Sequence, residues 1–203
     1  MIAPSRPVPT AHRLVMVLDD LGSGGGSRVM LRLASAFAQA GCAVHLAVRA
    51  DTGVARHDVP AGVDVTVLAP AAHVGLLRAR VVAGDPWHRV GLLRGRVADD
   101  ALRQVPALTA LLRGWRPDAV LGAGLFTNLL AVWAARAARS PARVVVSEHI
   151  SLRGWFADHL ARRQGRAQRA RAQRRGRVLP RVIASTYRRA AAVVAVSDGV
   201  AQE

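Results

Sequence analysis

The chain has 203 residues, a net charge of +16, and 51% hydrophobic against 21% charged residues, a balance that excludes intrinsic disorder and allows one large or two small folded domains. Its single cysteine, Cys42, excludes an internal disulfide framework and fits a reducing cytoplasm. The longest apolar stretch, Ala119 to Ala135, is broken by Gly122, Gly124, Thr127 and Asn128, so no bilayer span is expected.

Residues 1–13 place Pro and Arg where a signal peptide needs an apolar core, and they read as a disordered leader. Leu14 to Leu18 is an apolar run suited to a buried parallel strand. A loop with Gly22, Gly24, Gly25 and Gly26 follows, and then Val29 to Ala40 carries apolar residues at helical spacing. Gly41 stops that helix and Cys42 to Arg49 forms a second strand, so a strand, helix, strand unit with a parallel crossover is expected. Val63 to Leu68 alternates between Gly62 and Pro70 and predicts a third strand. Residues 71–98 mix Gly, Arg, Pro86 and Trp87 and give no clear pattern. Beyond them a helix is expected over Leu102 to Trp115 and a strand within "RPDAVLGAG" (Arg116 to Gly124). The same alternation then gives a helix over Phe126 to Arg139, a strand over Arg143 to Ser147, a helix around Pro180 to Ala190 and a strand over Ala192 to Val196. This order predicts an α/β fold with a doubly wound, Rossmann-like parallel sheet. The chain stops at Glu203, just after Ser197 caps a new helix, which reads as a cut within a longer protein.

All 29 basic residues are Arg, which a coding bias explains in part. Their distribution is more telling: the span from Arg162 to Arg181 holds nine Arg and no acid. This segment, which includes Arg169, Arg171, Arg174 and Arg175, has too few apolar residues to bury a face and reads first as a solvated surface. Contact with an anionic membrane surface comes second. Nucleic acid comes third, since no aromatic residues interleave the arginines for base stacking.

Ligands of open parallel sheets bind beyond the carboxyl ends of the strands. Three stretches fall there: the glycine loop, "SEHISL" after the Arg143 strand and "SDGV" after the last strand. Glycines before a helix start suit an anion, because unpaired amides and the helix dipole meet there. A dinucleotide fingerprint fails at Ser27, where its third glycine belongs, and no Gly-Lys-Ser/Thr follows. On residues alone the loop remains open between an anion cradle and a plain turn. Glu148 and His149 sit side by side past a buried strand, where the imidazole serves either as a proton-transfer group or as a loop hydrogen-bond partner. Ser197 and Asp198 have the residue types of a helix cap. His45 lies inside a strand as a core or edge residue, while His57, His73, His88 and His159 are scattered, and no metal-ligand spacing emerges.

Four stretches in order, "GGGSRVMLRLASAFAQAGCAVHLAV", "RPDAVLGAG", "VVVSEHISL" and "TYRRAAAVVAVSDGVA", resemble the N-terminal domain of a family 4 glycosyltransferase of the retaining, two-domain GT-B type. The resemblance implies that residues 14–203 form the acceptor-side half of the enzyme, with a C-terminal donor-binding domain missing. It implies a sugar moved from a nucleotide-diphosphate donor to the hydroxyl of a glycan or lipid-linked acceptor, with no cofactor and no metal, in the cytoplasm or at the inner membrane face. By position it assigns Gly24, Gly25 and Gly26 to the donor diphosphate and sugar, His149 to the reaction centre, and Glu148, Ser197 and Asp198 to the cleft lining. Departures from the pattern stand at Ser27 (often Glu), Ile150 (often Asn) and Ala191 (often Asp). Two other readings compete: a dinucleotide-binding oxidoreductase domain with Asp51 on a ribose, and a basic nucleic-acid or membrane module.

Overall fold

In the computed structural model, residues 12–22, 24–50, 52, 57–71, 96–151, 154 and 180–202 are described. The elements run β1 (Arg13–Leu18), α1 (Gly25–Gln39), β2 (Ala43–Val48), β3 (Asp64–Val67), α2 (Arg96–Trp115), β4 (Ala119–Ala123), α3 (Leu125–Ala138), β5 (Arg143–Glu148), α4 (180–187), β6 (Ala192–Ala195) and α5 (Asp198–Ala201). The six strands form one sheet in the order β3-β2-β1-β4-β5-β6, with every pair parallel. Chain order runs outward from β1 to β3 on one side and from β4 to β6 on the other. The order therefore reverses between β1 and β4, which is where such sheets open a crevice.

The period-2 alternation of the central strand explains the layering. Val15 and Val17 face one cluster, built from α2 and α3 with Leu108, Leu112, Leu129, Leu130 and Trp133. Leu14, Met16 and Leu18 face the other, with Leu46, Val48, Met30 and Leu31. Both faces of β1 are thus covered, which is why its sequence is continuously apolar rather than alternating. Each fully buried Leu or Met here contributes about 2 kcal/mol relative to exposure. Helix α3 is buried nearly all round, from Thr127 through Ala135, because it lies over β4 and β5 and against α2.

Two departures from the sequence expectation stand out. The first helix begins at Gly25, four residues before Val29, since glycines fill a first turn that needs no apolar face. The last strand stops at Ala195, one residue short of the expected Val196, and leaves Val193 and Val194 56% and 45% exposed, because it is a sheet edge with β5 as its one neighbour among the described residues. His45 is a buried core residue, its Nε2 2.8 Å from Thr66 Oγ1 and its ring edge-on to Trp115. Its Nδ1 has no partner among the described residues. Burial pushes the imidazole below its usual pKa against the opposing pull of Asp64, and the ring is neutral at pH 7. No helix among the described residues is long and apolar enough to cross a membrane.

Candidate functional site

With every strand pair parallel, the loops after β1, β4, β5 and β6 share the carboxyl edge of the sheet. After β1 the chain passes through Asp19 and Asp20, buries Leu21 (1% exposed) and reaches Gly24, the extended N-cap of α1. Asp20 shapes this loop: its Oδ1 accepts from Gly22 N at 2.8 Å, and Ser27 Oγ donates to its carbonyl at 3.3 Å. Gly24 gives the helix no side-chain cap, so the first-turn amides of α1 keep the anion preference of a helix start. A Cβ on Gly24, Gly25 or Gly26 would meet nothing within 4 Å, and none of the three has a positive φ. Neither packing within the described chain nor backbone conformation therefore demands glycine there, and no described residue fills the space beside the backbone.

The neighbouring loops are tied together behind this one. Arg49, just past β2, pairs with Asp19 and donates through Nε to Gln104 Oε1 at 2.6 Å. Gln104 Nε2 in turn donates to the carbonyls of Arg49 and Leu68, at 2.7 and 3.2 Å. One buried amide on α2 thus fixes the ends of β1, β2 and β3.

On the other side of the switch point, Gly124 (φ +98°) turns β4 directly into α3. Thr127 Oγ1 donates back to the Ala123 carbonyl at 2.6 Å. The close turn brings the wholly buried Asn128 against the end of β5. Its Oδ1 accepts from Ser147 N at 3.3 Å, and its Nδ2 lies 3.0 Å from Ser147 O, 2.9 Å from Glu148 Oε1 and 3.0 Å from Tyr187 Oη. Tyr187, on α4, donates to the same Glu148 Oε1.

Glu148, expected to line the cleft, is instead 5% exposed, with its carboxyl turned onto Asn128 and Tyr187. Strand alternation explains this, since Glu148 and His149 leave the backbone on opposite sides. Burial pushes the carboxyl above its usual range, against the hydrogen bonds from Tyr187 and Asn128, and Oε2 has no partner among the described residues. Burial and the Glu148 carboxyl likewise push the Tyr187 phenol up.

Because the folded-state pKa of Glu148 is raised, the unfolded chain ionises first as pH climbs past the usual value near 4.5, and the native state loses stability from there upward. Glu148→Gln removes that loss while keeping an acceptor for Tyr187 and Asn128. Thermal unfolding is expected to show the variant more stable than wild type at pH 7, with the gap closing towards pH 4. A variant less stable at pH 7 would show that the carboxylate is better satisfied than its contacts imply.

His149 follows β5 and is half-buried, with Nε2 3.1 Å from Ser147 Oγ. Burial lowers its pKa, so the imidazole is neutral at pH 7. Ser197 Oγ accepts from Val200 N at 3.4 Å and caps α5, and both Ser197 and Asp198 are exposed beyond β6. Asp51, His73, His88, His159, Arg169, Arg171, Arg174 and Arg175 lie outside the described residues, and His57 is exposed. Among the described residues no group of three His, Cys, Asp or Glu could hold a metal ion. Sequence reasoning missed Asp20, Asn128, Ser147 and Tyr187. Asn128 carried a signal as a polar residue in the apolar run "LFTNLLAVW", and Ser147 and Tyr187 lay within the quoted stretches without being singled out.

Comparisons with known proteins agree with this fold. The model of Glycosyltransferase Family 4 matches residues 23–203. No curated protein matches the sequence. Among solved structures, the apo lipopolysaccharide outer core galactosyltransferase WaaB is similar over 94% of this chain and 41% of its own, at 13% identity and a TM-score of 0.55. HepE from Anabaena, solved in complex with UDP, is similar over 94% of this chain and 39% of its own, at 15% identity and a TM-score of 0.54. MurG from Acinetobacter baumannii is similar over 91% of this chain and 41% of its own, at 16% identity and a TM-score of 0.50. The chain spans about two-fifths of the length of each. With a six-stranded parallel Rossmann-like sheet of the GT-B kind and a family match over residues 23–203, the chain belongs to Glycosyltransferase Family 4.

Proposed function

We propose that residues 14–203 are the acceptor-side half of a retaining glycosyltransferase that moves a sugar from a nucleotide-diphosphate donor to the hydroxyl of a glycan or lipid-linked acceptor, with the donor nucleotide held by a domain beyond Glu203. The observation that carries this reading is the placement of Gly24–Gly26 and His149 on one carboxyl edge, flanking the switch point of a sheet that belongs to this family. The open backbone at the start of α1 suits a diphosphate, whose negative charge grows as the sugar departs. HepE in complex with UDP supports a nucleotide-diphosphate donor. The neutral imidazole of His149 suits an acceptor hydroxyl, which it would hold and relieve of its proton.

The test is donor turnover by the full-length protein with a panel of nucleotide-diphosphate sugars, followed by proton NMR of the product's anomeric signal. Release of nucleoside diphosphate with the donor's anomeric configuration kept supports the reading. Inversion would remove retention, and no turnover of any donor would remove the activity. A cytoplasmic location rests on the single cysteine, and contact with an anionic inner leaflet on the nine arginines of residues 162–181. Sedimentation with phosphatidylglycerol vesicles that is unchanged when those arginines are neutralised would remove that contact.

A further inference from the structure

The imidazole of His149 is joined to the fold by a chain of hydrogen bonds that runs through β5, α3 and α4. Its near end is Ser147, two residues back on the same side of β5 and 7% exposed, whose Oγ shares a 3.1 Å hydrogen bond with His149 Nε2. The Ser147 backbone is gripped on both its polar groups. Asn128 Oδ1 accepts from its N–H, while Asn128 Nδ2 and Gly124 N, at 3.0 and 2.9 Å, both donate to its carbonyl. Asn128 is itself wholly buried and is anchored by Glu148 Oε1 and Tyr187 Oη. A side chain from α3 thus continues the β4–β5 ladder past its last register pair, Ala123 with Ser147. This leaves the serine hydroxyl held where it can fix the direction of the His149 ring.

We propose that Ser147 is a positioning residue that acts through His149, fixing the direction of its ring for the transfer reaction. The proposal rests on the glycosyltransferase reading above. A hydroxyl held on Nε2 leaves Nδ1 as the nitrogen available to the acceptor. Without the hydroxyl the ring rotates about χ2. A fraction of the enzyme is then miswired at any moment, while the donor side is untouched.

The experiment uses the full-length protein carrying Ser147→Ala, His149→Ala or both, with Ser147→Thr as the variant that keeps the hydroxyl. Ser147→Ala is expected to lower kcat roughly tenfold to a hundredfold with the donor KM little changed, as loss of alignment does. Ser147→Thr restores most of it. In the His149→Ala background, Ser147→Ala is expected to cost nothing more, a coupling that a general loss of stability would not produce. Nuclear Overhauser contacts of the His149 ring protons read the same point without turnover: one ring direction in wild type and Ser147→Thr, an averaged set in Ser147→Ala. An unchanged ring spectrum, or the same fold-loss with and without His149, overturns the proposal. If wild type transfers no sugar, the glycosyltransferase reading fails while the ring spectrum still decides whether Ser147 governs His149.

Discussion

Replacing His149 by alanine in the full-length protein is expected to slow sugar transfer by about a hundredfold or more, the usual worth of a positioned proton-transfer group. Folding should be unaffected, since the ring is half-buried, lies past the end of β5 and has Ser147 Oγ as its hydrogen-bond partner among the described residues. Steady-state kinetics separate the effects: kcat falls, while the donor KM moves little because the glycine loop is intact. Burial holds the imidazole below its usual pKa near 6.5, so in the proposed reaction the neutral form is the one that acts. Wild-type activity should therefore be flat around pH 7 and fall only below pH 6.5, and that acidic limb should vanish in the variant. Activity within twofold of wild type would take His149 out of the reaction.

Gly122→Ala is expected to be the most destabilising single-methyl change in the described chain. A Cβ at that position would stand 2.6 Å from Asn128 Oδ1, 2.9 Å from Asn128 Cα and 3.2 Å from its N. Two of these are backbone atoms of α3, so the clash is relieved only by moving a helix buried on nearly every side. Overpacking of this kind costs about 3 kcal/mol at the upper end, and the Asn128 hydrogen bonds to Ser147, Glu148 and Tyr187 are disturbed with it. For a chain of this size, thermal unfolding should fall by roughly 10 °C. Gly114→Ala is the control, because that glycine lies in α2 with nothing within 4 Å of its Cβ position. There alanine should be neutral or stabilising by up to about 1 kcal/mol. Equal unfolding temperatures for the two variants would show that α3 does not bear on β4 as closely as the coordinates place it.

The sheet was legible because its signals are local. Leu14 to Leu18 and Arg143 to Ser147 are short apolar runs between turn residues, and the structure places β1 and β5 within a residue of them. Glycine misled at the start of α1, where it was read as loop although it fills the first helical turn. The Ala192 to Val196 run gave the strand but not its exposure, since an apolar strand does not announce whether it has one neighbour or two. The glycine loop and His149 could be picked out by type and place. Their supports could not: Asn128 meets Ser147 across 19 residues and Tyr187 across 59, and no periodicity encodes a contact of that span. Glu148 shows the limit most plainly. It sits beside His149 in sequence, yet one step along a strand turns its carboxyl into the interior, against a tyrosine whose role its stretch did not disclose.

The central claim is that the carboxyl edge of this sheet forms one wall of a sugar-nucleotide site. The most direct measurement is an NMR titration of the full-length protein, labelled on glycine and histidine, with a panel of nucleotide-diphosphate sugars and, separately, with NAD(H). The result expected is that at least one sugar nucleotide moves the amide signals of Gly24, Gly25 and Gly26 together with the ring signals of His149, while NAD(H) moves none of them. Glycine and histidine signals that stay still with every sugar nucleotide, or that move with NAD(H) alone, would contradict it.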